Sequence, residues 1–273
     1  MLPDEFNYHI DRNHFILHYQ PIVDADTETV VGVEALVRLQ HPRSGLLFPN
    51  DFIPLAEANN LIFKLDEWVL RTACRQVRRW QSDGYSLSLA VNFSGRSFRQ
   101  HHLWRRVVNI LEECDFNPRN LQIELTETAL VHHQEEAIRT MKKMNEIGIQ
   151  LALDDFGRGY SSFSYLQAFS FDILKLDRYF VQNLSRYLKS KKIANTIIEL
   201  GHILGMQVLA EGVETEAQKL FLRKHKCNFM QGYLFSPPVP AEQVPQFLTR
   251  PDFLSPFHQS CLALPQVSEG IAS

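Results

Sequence analysis

The sequence predicts an α/β fold, a modified TIM (β/α)8 barrel whose first strand runs antiparallel to the others. Two observations lead to this prediction. Short apolar runs alternate with amphipathic stretches along most of the chain, and the first connection is too short for a parallel crossover. The length of 273 residues suits one barrel of this kind.

Eight apolar runs with the composition of β-strands are separated by amphipathic stretches. The expected strands cover residues 15–23, 30–37, 87–92, 121–125, 149–154, 171–176, 206–210 and 228–233. The expected helices cover residues 66–81, 103–114, 135–147, 189–204 and 216–224. Strands that alternate with helices form parallel sheets, and eight such units close into a barrel.

The join between the first two strands is the exception to this alternation. Only the polar stretch 24–29 separates them. A parallel crossover needs about a dozen residues or more, whereas an antiparallel hairpin needs only a few. The first two strands are therefore expected to form a hairpin.

Composition excludes several classes of protein. The net charge of -3 gives no basic field over the whole sequence, so we expect no binding of DNA or RNA duplexes. The four cysteines lie far apart, which argues against a thiolate zinc site and a disulfide framework. We expect no signal peptide and no membrane segment, and hence a cytoplasmic protein.

Residues 1–250 are expected to form a single domain, followed by a loosely structured tail over 251–273.

Polar side chains end or follow almost every expected strand. They are Glu34, Asn92, Glu124, Asp154, Asp155, Lys175, Asp177, Glu211 and Gln231. In a barrel these positions converge on one rim. Several carboxylates buried together are costly unless cations neutralise them, and oxygen ligands suit Mg²⁺ or Mn²⁺. Two such ions about 3.5–4 Å apart can clamp a phosphodiester, and Asp154 and Asp155 could bridge them. Lys175 could orient or help deprotonate the attacking water, or stabilise the charge of the phosphorane.

Taken singly, each of these residues has a structural explanation. A strand-end Asp or Glu is often a helix N-cap or a turn residue. Lys175 has Asp172 and Asp177 as neighbours in sequence with which it could pair. The metal-site interpretation rests on the whole set, because structure alone rarely requires a polar residue at nearly every strand end.

Residues 34–38 read Glu-Ala-Leu-Val-Arg, and the chain resembles the EAL domain family, the cyclic di-GMP phosphodiesterases of bacteria. The resemblance covers about residues 10–248. Its other motifs lie at residues 19–23, 52–57, 68–70, 91–94, 124–127, 154–157, 174–178, 210–215 and 231–235. Many motifs in the same order make the resemblance specific. It also implies a barrel with an antiparallel first strand.

The resemblance implies a role for each matching residue. The implied metal ligands are Glu34, Asn92, Glu124, Asp154, Asp155 and Glu211. The implied catalytic group is Lys175, together with Glu34 and Glu211. The implied substrate contacts are Gln20, Arg38, Asp177 and Gln231. Glu127 is expected to support the loop after Asp155 and, through it, a homodimer.

The implied reaction is hydrolysis of cyclic di-GMP to linear pGpG by metal-activated water, with two Mg²⁺ or Mn²⁺ ions per site and Ca²⁺ as an inhibitor. The alternative is a non-catalytic module that binds cyclic di-GMP or another protein. One position departs from the family pattern, since Arg158 stands where the metal loop usually has Thr. No cyclase segment or sensor is recognisable. Regulation is expected to come from elsewhere or from a longer protein, through a partner that the sequence does not identify.

Overall fold

The fold is a closed barrel of eight strands surrounded by helices. The computed structural model describes residues 6, 8–10, 12, 14–98, 100–126, 134–157, 169–185 and 187–248. The proposed tail over 251–273 lies outside the described residues.

Ten strands form one sheet. They are β1 Phe15–Asp24, β2 Val30–His41, β3 Gly45–Leu47, β4 Ser88–Asn92, β5 Leu121–Thr126, β6 Gln150–Phe156, β7 Ile173–Leu176, β8 Gln207–Ala210, β9 Phe229–Met230 and β10 Val239–Pro240. The barrel closes in the order β1-β2-β4-β5-β6-β7-β8-β9, and β9 returns to β1. Strand β1 is antiparallel to both of its barrel neighbours, while the other barrel pairs are parallel. The predicted barrel and its hairpin are confirmed.

The helices lie outside the barrel. They are α1 Pro49–Ala58, α2 Ile62–Ser82, α3 Gly95–Phe98, α4 Leu103–Glu113, α5 Gln134–Glu146, α6 Arg178–Gln182, α7 Leu188–Ile203, α8 Glu216–Lys224 and α9 Pro245–Leu248. The five predicted helices are present within a few residues of their expected bounds. None of the described helices combines the length and the apolar character needed to cross a membrane.

Helix α1 and strand β3 were not predicted. Helix α1 carries Pro54 in its interior and begins after Phe48, whose side chain makes no capping hydrogen bond. An internal proline and an N-cap residue without an acceptor are both unfavourable in a helix, so the sequence does not predict α1. Strand β3 has only three residues and pairs with the end of β2 outside the barrel. An element this short leaves no periodic signal of its own.

Apolar side chains fill two layers. A small cluster inside the barrel contains Ile22, Ala90, Ala152, Ile173 and Leu209. A larger cluster fills the space between the strands and the helices. The parallel strands are buried on both faces, which explains their nearly continuous apolar sequences. The polar residues at their carboxyl ends therefore emerge together at one mouth of the barrel.

A buried carboxyl group supports the chain just after β4. Ser94 follows the strand-end residue Asn92 by two positions, and its N–H donates to Oδ2 of Asp66 on α2 at 3.2 Å. The Ser97 hydroxyl donates to the same oxygen at 2.5 Å, and the Ser94 hydroxyl donates to Glu57 at 2.5 Å. Burial raises the pKa of Asp66 to about 7. Asp66 thus connects α2 to the start of α3, and its buried position favours the protonated form of its carboxyl group.

The pairing of β2 with β4 depends on close approach at Gly32. Gly32 lies opposite Ser88 in the register, and a Cβ added at Gly32 would meet the Ser88 Oγ at 2.2 Å. We expect Gly32→Ala to lower the free energy of unfolding by about 1–3 kcal/mol, as overpacking in cores does. Adding Ser88→Ala removes the side-chain oxygen of the clash and leaves the Ser88 carbonyl oxygen at 3.1 Å, so the double variant is expected to regain part of the loss in urea unfolding. Additive losses would contradict this account.

The raised pKa of Asp66 makes stability depend on pH. In the unfolded chain the acid releases its proton near its ordinary pKa of 3.8, whereas the folded chain holds it to about pH 7. The free energy of unfolding therefore falls as the pH rises from about 4 to about 7. Asp66→Asn keeps an acceptor oxygen without the charge. Its stability relative to the parent should rise by up to about 4 kcal/mol over that range, at about 1.4 kcal/mol per pKa unit.

The measurement is urea unfolding of both proteins at several pH values. Asp83→Asn, which changes an exposed carboxyl at the end of the same helix, is the matched control. It is expected to follow the parent's pH profile. If the Asp66→Asn profile runs parallel to that of the parent, the carboxyl group does not titrate as described.

Candidate active site

Lys175 lies at the centre of the barrel mouth. It projects from β7, and only 1% of its side chain is exposed. Four carboxylates contribute the oxygens nearest to its ammonium nitrogen. The distances are 2.5 Å to Glu124, 2.7 Å to Glu211, 3.4 Å to Asp154 and 3.9 Å to Glu34. These side chains come from β2, β5, β6 and the end of β8, so the predicted convergence of strand ends is present.

Amide groups orient the carboxylate of Glu34. The Asn92 Nδ2 donates to one oxygen and the Gln231 Nε2 donates to the other, each at 2.7 Å. Gln231 also donates to Oε1 of Gln20 at 3.1 Å, and Gln20 in turn donates to the carbonyl of Ser236 at 3.0 Å. Two predicted substrate contacts, Gln20 and Gln231, are thus connected to the predicted metal ligands. The side-chain oxygen of Asn92 takes no part in the hydrogen bond to Glu34.

Gln122 is a member of the site that the sequence interpretation missed. It is buried on β5, and its Nε2 donates to Oε1 of Glu124 at 2.8 Å, while Lys175 contacts the other oxygen. Residues two apart on a strand share a face. The spacing of Gln122 and Glu124 within an expected strand was therefore the available signal.

Asp154 and Asp155 occupy an irregular end of β6. The register with β7 shifts between Leu153 and Phe156, and Asp155 has a φ of 57° in the left-handed region. The Asp155 N–H donates to Oδ1 of Asp154 at 2.9 Å. A bulge re-aims side chains, and strained backbone outside glycine is concentrated at functional sites. The bulge lets two consecutive carboxylates depart from the strict alternation of a strand.

Exposure increases from the floor of the site to its opening. The exposed fraction of the side chain is 0% for Glu124, 7% for Glu34, 15% for Asp154 and 22% for Glu211. Burial raises the pKa of Glu124 and of Glu211, although Lys175 opposes the shift. Burial alone would lower the pKa of Lys175, but the surrounding carboxylates hold it well above its ordinary value. One ammonium therefore does not compensate this many buried carboxylates.

Arg38 and Asp177 lie around this cluster. Arg38 is buried on β2, and its Nη1 donates to the carbonyl of Val37 at 2.8 Å. Asp177 follows β7 and caps α6 by accepting the N–H of Tyr179 at 2.8 Å. The N-cap explanation of a strand-end acid is therefore correct for Asp177, whatever further role it has.

The donor set fits hard divalent cations. In the described part of the chain, no three acidic, histidine or cysteine side chains are already placed to hold a metal ion, and the carboxylates contact Lys175 instead. Carboxylate and amide oxygens are the ligands that Mg²⁺ and Mn²⁺ prefer. The raised pKa values of Glu124 and Glu211 show a cluster whose ionised form additional positive charge would stabilise.

Two predicted residues lie outside the described part of the chain. They are Glu127, expected to support the metal loop, and Arg158, the departure from the family pattern. The simple pairing of Lys175 with Asp172 is not observed, because Oδ2 of Asp172 accepts the N–H of Leu151 at 2.8 Å and Lys175 contacts the four carboxylates.

Comparison with known proteins identifies relatives over most of the chain. The bifunctional diguanylate cyclase/cyclic di-GMP phosphodiesterase MucR of Pseudomonas aeruginosa is 40% identical over 236 residues, which are 86% of this chain and 34% of MucR. The cyclic di-GMP phosphodiesterase PdeR of Escherichia coli is 38% identical over 232 residues, or 85% of this chain and 35% of PdeR. The chain thus spans about a third of the length of these relatives.

Solved structures show the same fold. A structure of the phosphodiesterase PaMucR in complex with c-di-GMP has a TM-score of 0.83 at 39% identity and covers 88% of this chain and 98% of that one. An EAL domain protein from Listeria monocytogenes has a TM-score of 0.79 at 32% identity, covering 90% and 97%. The family model described as EAL domain matches residues 4–238. This chain therefore belongs to the EAL domain family.

Proposed function

We propose that this domain hydrolyses cyclic di-GMP to linear pGpG with the help of divalent cations. The observation that carries the proposal is the buried ammonium of Lys175 among carboxylates from four strands. Ordinary folding does not require such a cluster, and phosphodiester chemistry at a cationic centre does. The names of MucR and PdeR support cyclic di-GMP as the substrate class.

The metal-binding residues in this proposal are the oxygen donors at the mouth. They are Glu34, Asn92, Glu124, Asp154, Asp155 and Glu211. Bound Mg²⁺ or Mn²⁺ supplies positive charge that neutralises the phosphate and lowers the pKa of water. The amides of Asn92, Gln122 and Gln231 restrict the rotation of Glu34 and Glu124, which prepares these ligands before the cation binds. Ca²⁺ is expected to inhibit because it accepts a looser coordination.

The substrate is proposed to meet Gln20, Arg38, Asp177 and Gln231 at the mouth. Arg38 offers a fork of donors that matches phosphate oxygens. Water adds to one phosphorus and the bond from that phosphorus to the 3′ oxygen breaks. The 3′ oxygen takes up a proton, and the product carries a 5′ phosphate.

Lys175 acts in this proposal as an ammonium. Without a bound cation, the surrounding carboxylates hold its pKa well above the ordinary value. An ammonium donor orients an incoming water and stabilises negative charge that develops on the phosphoryl oxygens. The expected homodimer and the cytoplasmic location remain predictions, as does the support of the metal loop by Glu127.

Turnover is expected to depend on Glu34. Glu34→Ala removes a buried oxygen donor, so we expect a loss of at least about 100-fold in kcat, in the range seen when one electrostatic group is removed. The measurement is chromatography of cyclic di-GMP after incubation with the purified protein and Mn²⁺ or Mg²⁺. Glu113→Ala, which changes an outer ion pair with Arg71, is the matched control and should retain turnover.

The parent protein itself decides between the functions in this assay. No linear product with either ion would refute the hydrolase. Calorimetry with cyclic di-GMP and Ca²⁺ then separates the alternatives. Binding without hydrolysis identifies a module that binds the dinucleotide, whereas no binding favours a domain that interacts only with proteins.

The charge of Lys175 is the subject of a separate test. Lys175→Met keeps much of the side-chain volume and removes the ammonium, so we expect kcat to fall by about 100-fold or more. Binding of cyclic di-GMP in Ca²⁺ should change far less, because the proposed substrate contacts are other residues. Unchanged turnover in Lys175→Met would remove this residue from the catalytic machinery.

A further inference from the structure

Phe48 stands at a position where its ring has no structural explanation. It is the N-cap residue of α1, a place that favours Ser, Thr, Asp or Asn because their oxygens accept a helix N–H. Phenylalanine has no such acceptor. The helix start is instead closed by Asp51, whose Oδ2 accepts the Phe48 N–H at 2.9 Å. The ring itself is 52% exposed. Neither capping nor core packing therefore requires an aromatic side chain here.

The unpredicted strand β3 places the Phe48 ring beside Arg38. Strand β3 pairs antiparallel with β2, and the last pair in the register joins Leu39 to Leu47. Arg38 precedes Leu39 on β2, and Phe48 follows Leu47 at the end of β3, so the two residues are neighbours. The guanidinium carbon of Arg38 lies over the Phe48 ring, 5.1 Å from its centroid. This distance is within the range of a cation–π contact.

The guanidinium of Arg38 is only partly used by the protein. Arg38 is 7% exposed, and the Nη1 bond to its neighbouring carbonyl of Val37 is local. Its Nε has no hydrogen-bond partner among the residues that the structure describes. A buried donor without a protein partner is costly, and a water or a ligand can supply the missing acceptor. Glu34 is the carboxylate whose charge acts on Arg38.

We propose that Phe48 is a positioning residue for the substrate, acting through Arg38. The cation–π contact with the ring restricts the guanidinium, so that its unpartnered Nε–H and its outer nitrogens remain available to a phosphate of the dinucleotide. Without the ring, the long side chain gains rotational freedom and a competing carboxylate partner. This inference rests on the proposed function, because it assigns a second residue to the binding of the same substrate.

The kinetic test separates binding from chemistry. Phe48→Ala is expected to raise KM for cyclic di-GMP about threefold to tenfold, the range of a cation–π contact, with kcat within about twofold of the parent. Phe48→Tyr keeps the ring face and should restore the parent KM, whereas Phe48→Leu should behave like Phe48→Ala. Tyr187→Ala removes another exposed ring, at the start of α7, and should change nothing.

A double-variant cycle tests whether the ring acts through Arg38. In the Arg38→Met background, adding Phe48→Ala is expected to cause no further rise in KM. Multiplicative effects of the two substitutions would overturn the proposal, because the ring would then contact the dinucleotide directly. An unchanged KM in Phe48→Ala would overturn it as well.

A measurement without substrate keeps this inference separate from the proposed function. Phenylglyoxal modifies arginine side chains, and peptide mapping reports the rate at Arg38. Phe48→Ala is expected to raise that rate several-fold, and Phe48→Tyr is expected to leave it unchanged. An unaltered rate in Phe48→Ala would refute the positioning of Arg38 even if the parent hydrolyses cyclic di-GMP. A raised rate in a protein that does not turn over cyclic di-GMP would contradict only the proposed function.

Discussion

The site depends on one buried ammonium, that of Lys175, held among carboxylates from four strands. Parallel strands make this contact possible because their carboxyl ends meet at the same rim. The same arrangement works against stability, since like charges are brought together away from water. Burial and the repulsion between neighbouring carboxylates raise the pKa values of Glu124 and Glu211. Added positive charge would lower this repulsion, which couples cation binding to the stability of the folded barrel.

Neutral amides around the carboxylates limit the conflict. Asn92, Gln122 and Gln231 orient Glu34 and Glu124 through hydrogen bonds without adding charge. The Gln122 amide nitrogen lies 2.8 Å from a carboxylate oxygen of Glu124. An acid at position 122 would therefore place a second carboxylate against that of Glu124. A base there would compete with Lys175 and with any divalent cation. The amide is therefore the side chain that orients the ligand and leaves the charge of the site unchanged.

The sequence predicts correctly those features whose pattern extends over many residues. The eight strands, the β1–β2 hairpin and the convergence of the strand ends follow from period, connection length and parallel geometry. Features that depend on contacts distant in sequence, or on a single residue, are not predictable in this way. The bulge at Asp154 and Asp155 is visible only against the register of β7. The role of Gln122 appears once Glu124 is seen to need a donor, and β3 is too short to leave a signal.

The failure to predict α1 has a cause that bears on function. In most of the chain, local preference and global fold agree, as expected of a sequence that specifies one structure. At Phe48 they disagree, because an aromatic residue without a side-chain acceptor occupies a capping position, while the Asp51 carboxylate accepts the Phe48 N–H. Asp155 shows a similar disagreement through its left-handed backbone. Both residues adjoin side chains with proposed roles in the site, Arg38 as a substrate contact and Asp154 as a metal ligand. Two local rules are thus broken beside the barrel mouth, where the dinucleotide is proposed to bind, and such departures are expected where binding and not folding selects the residue.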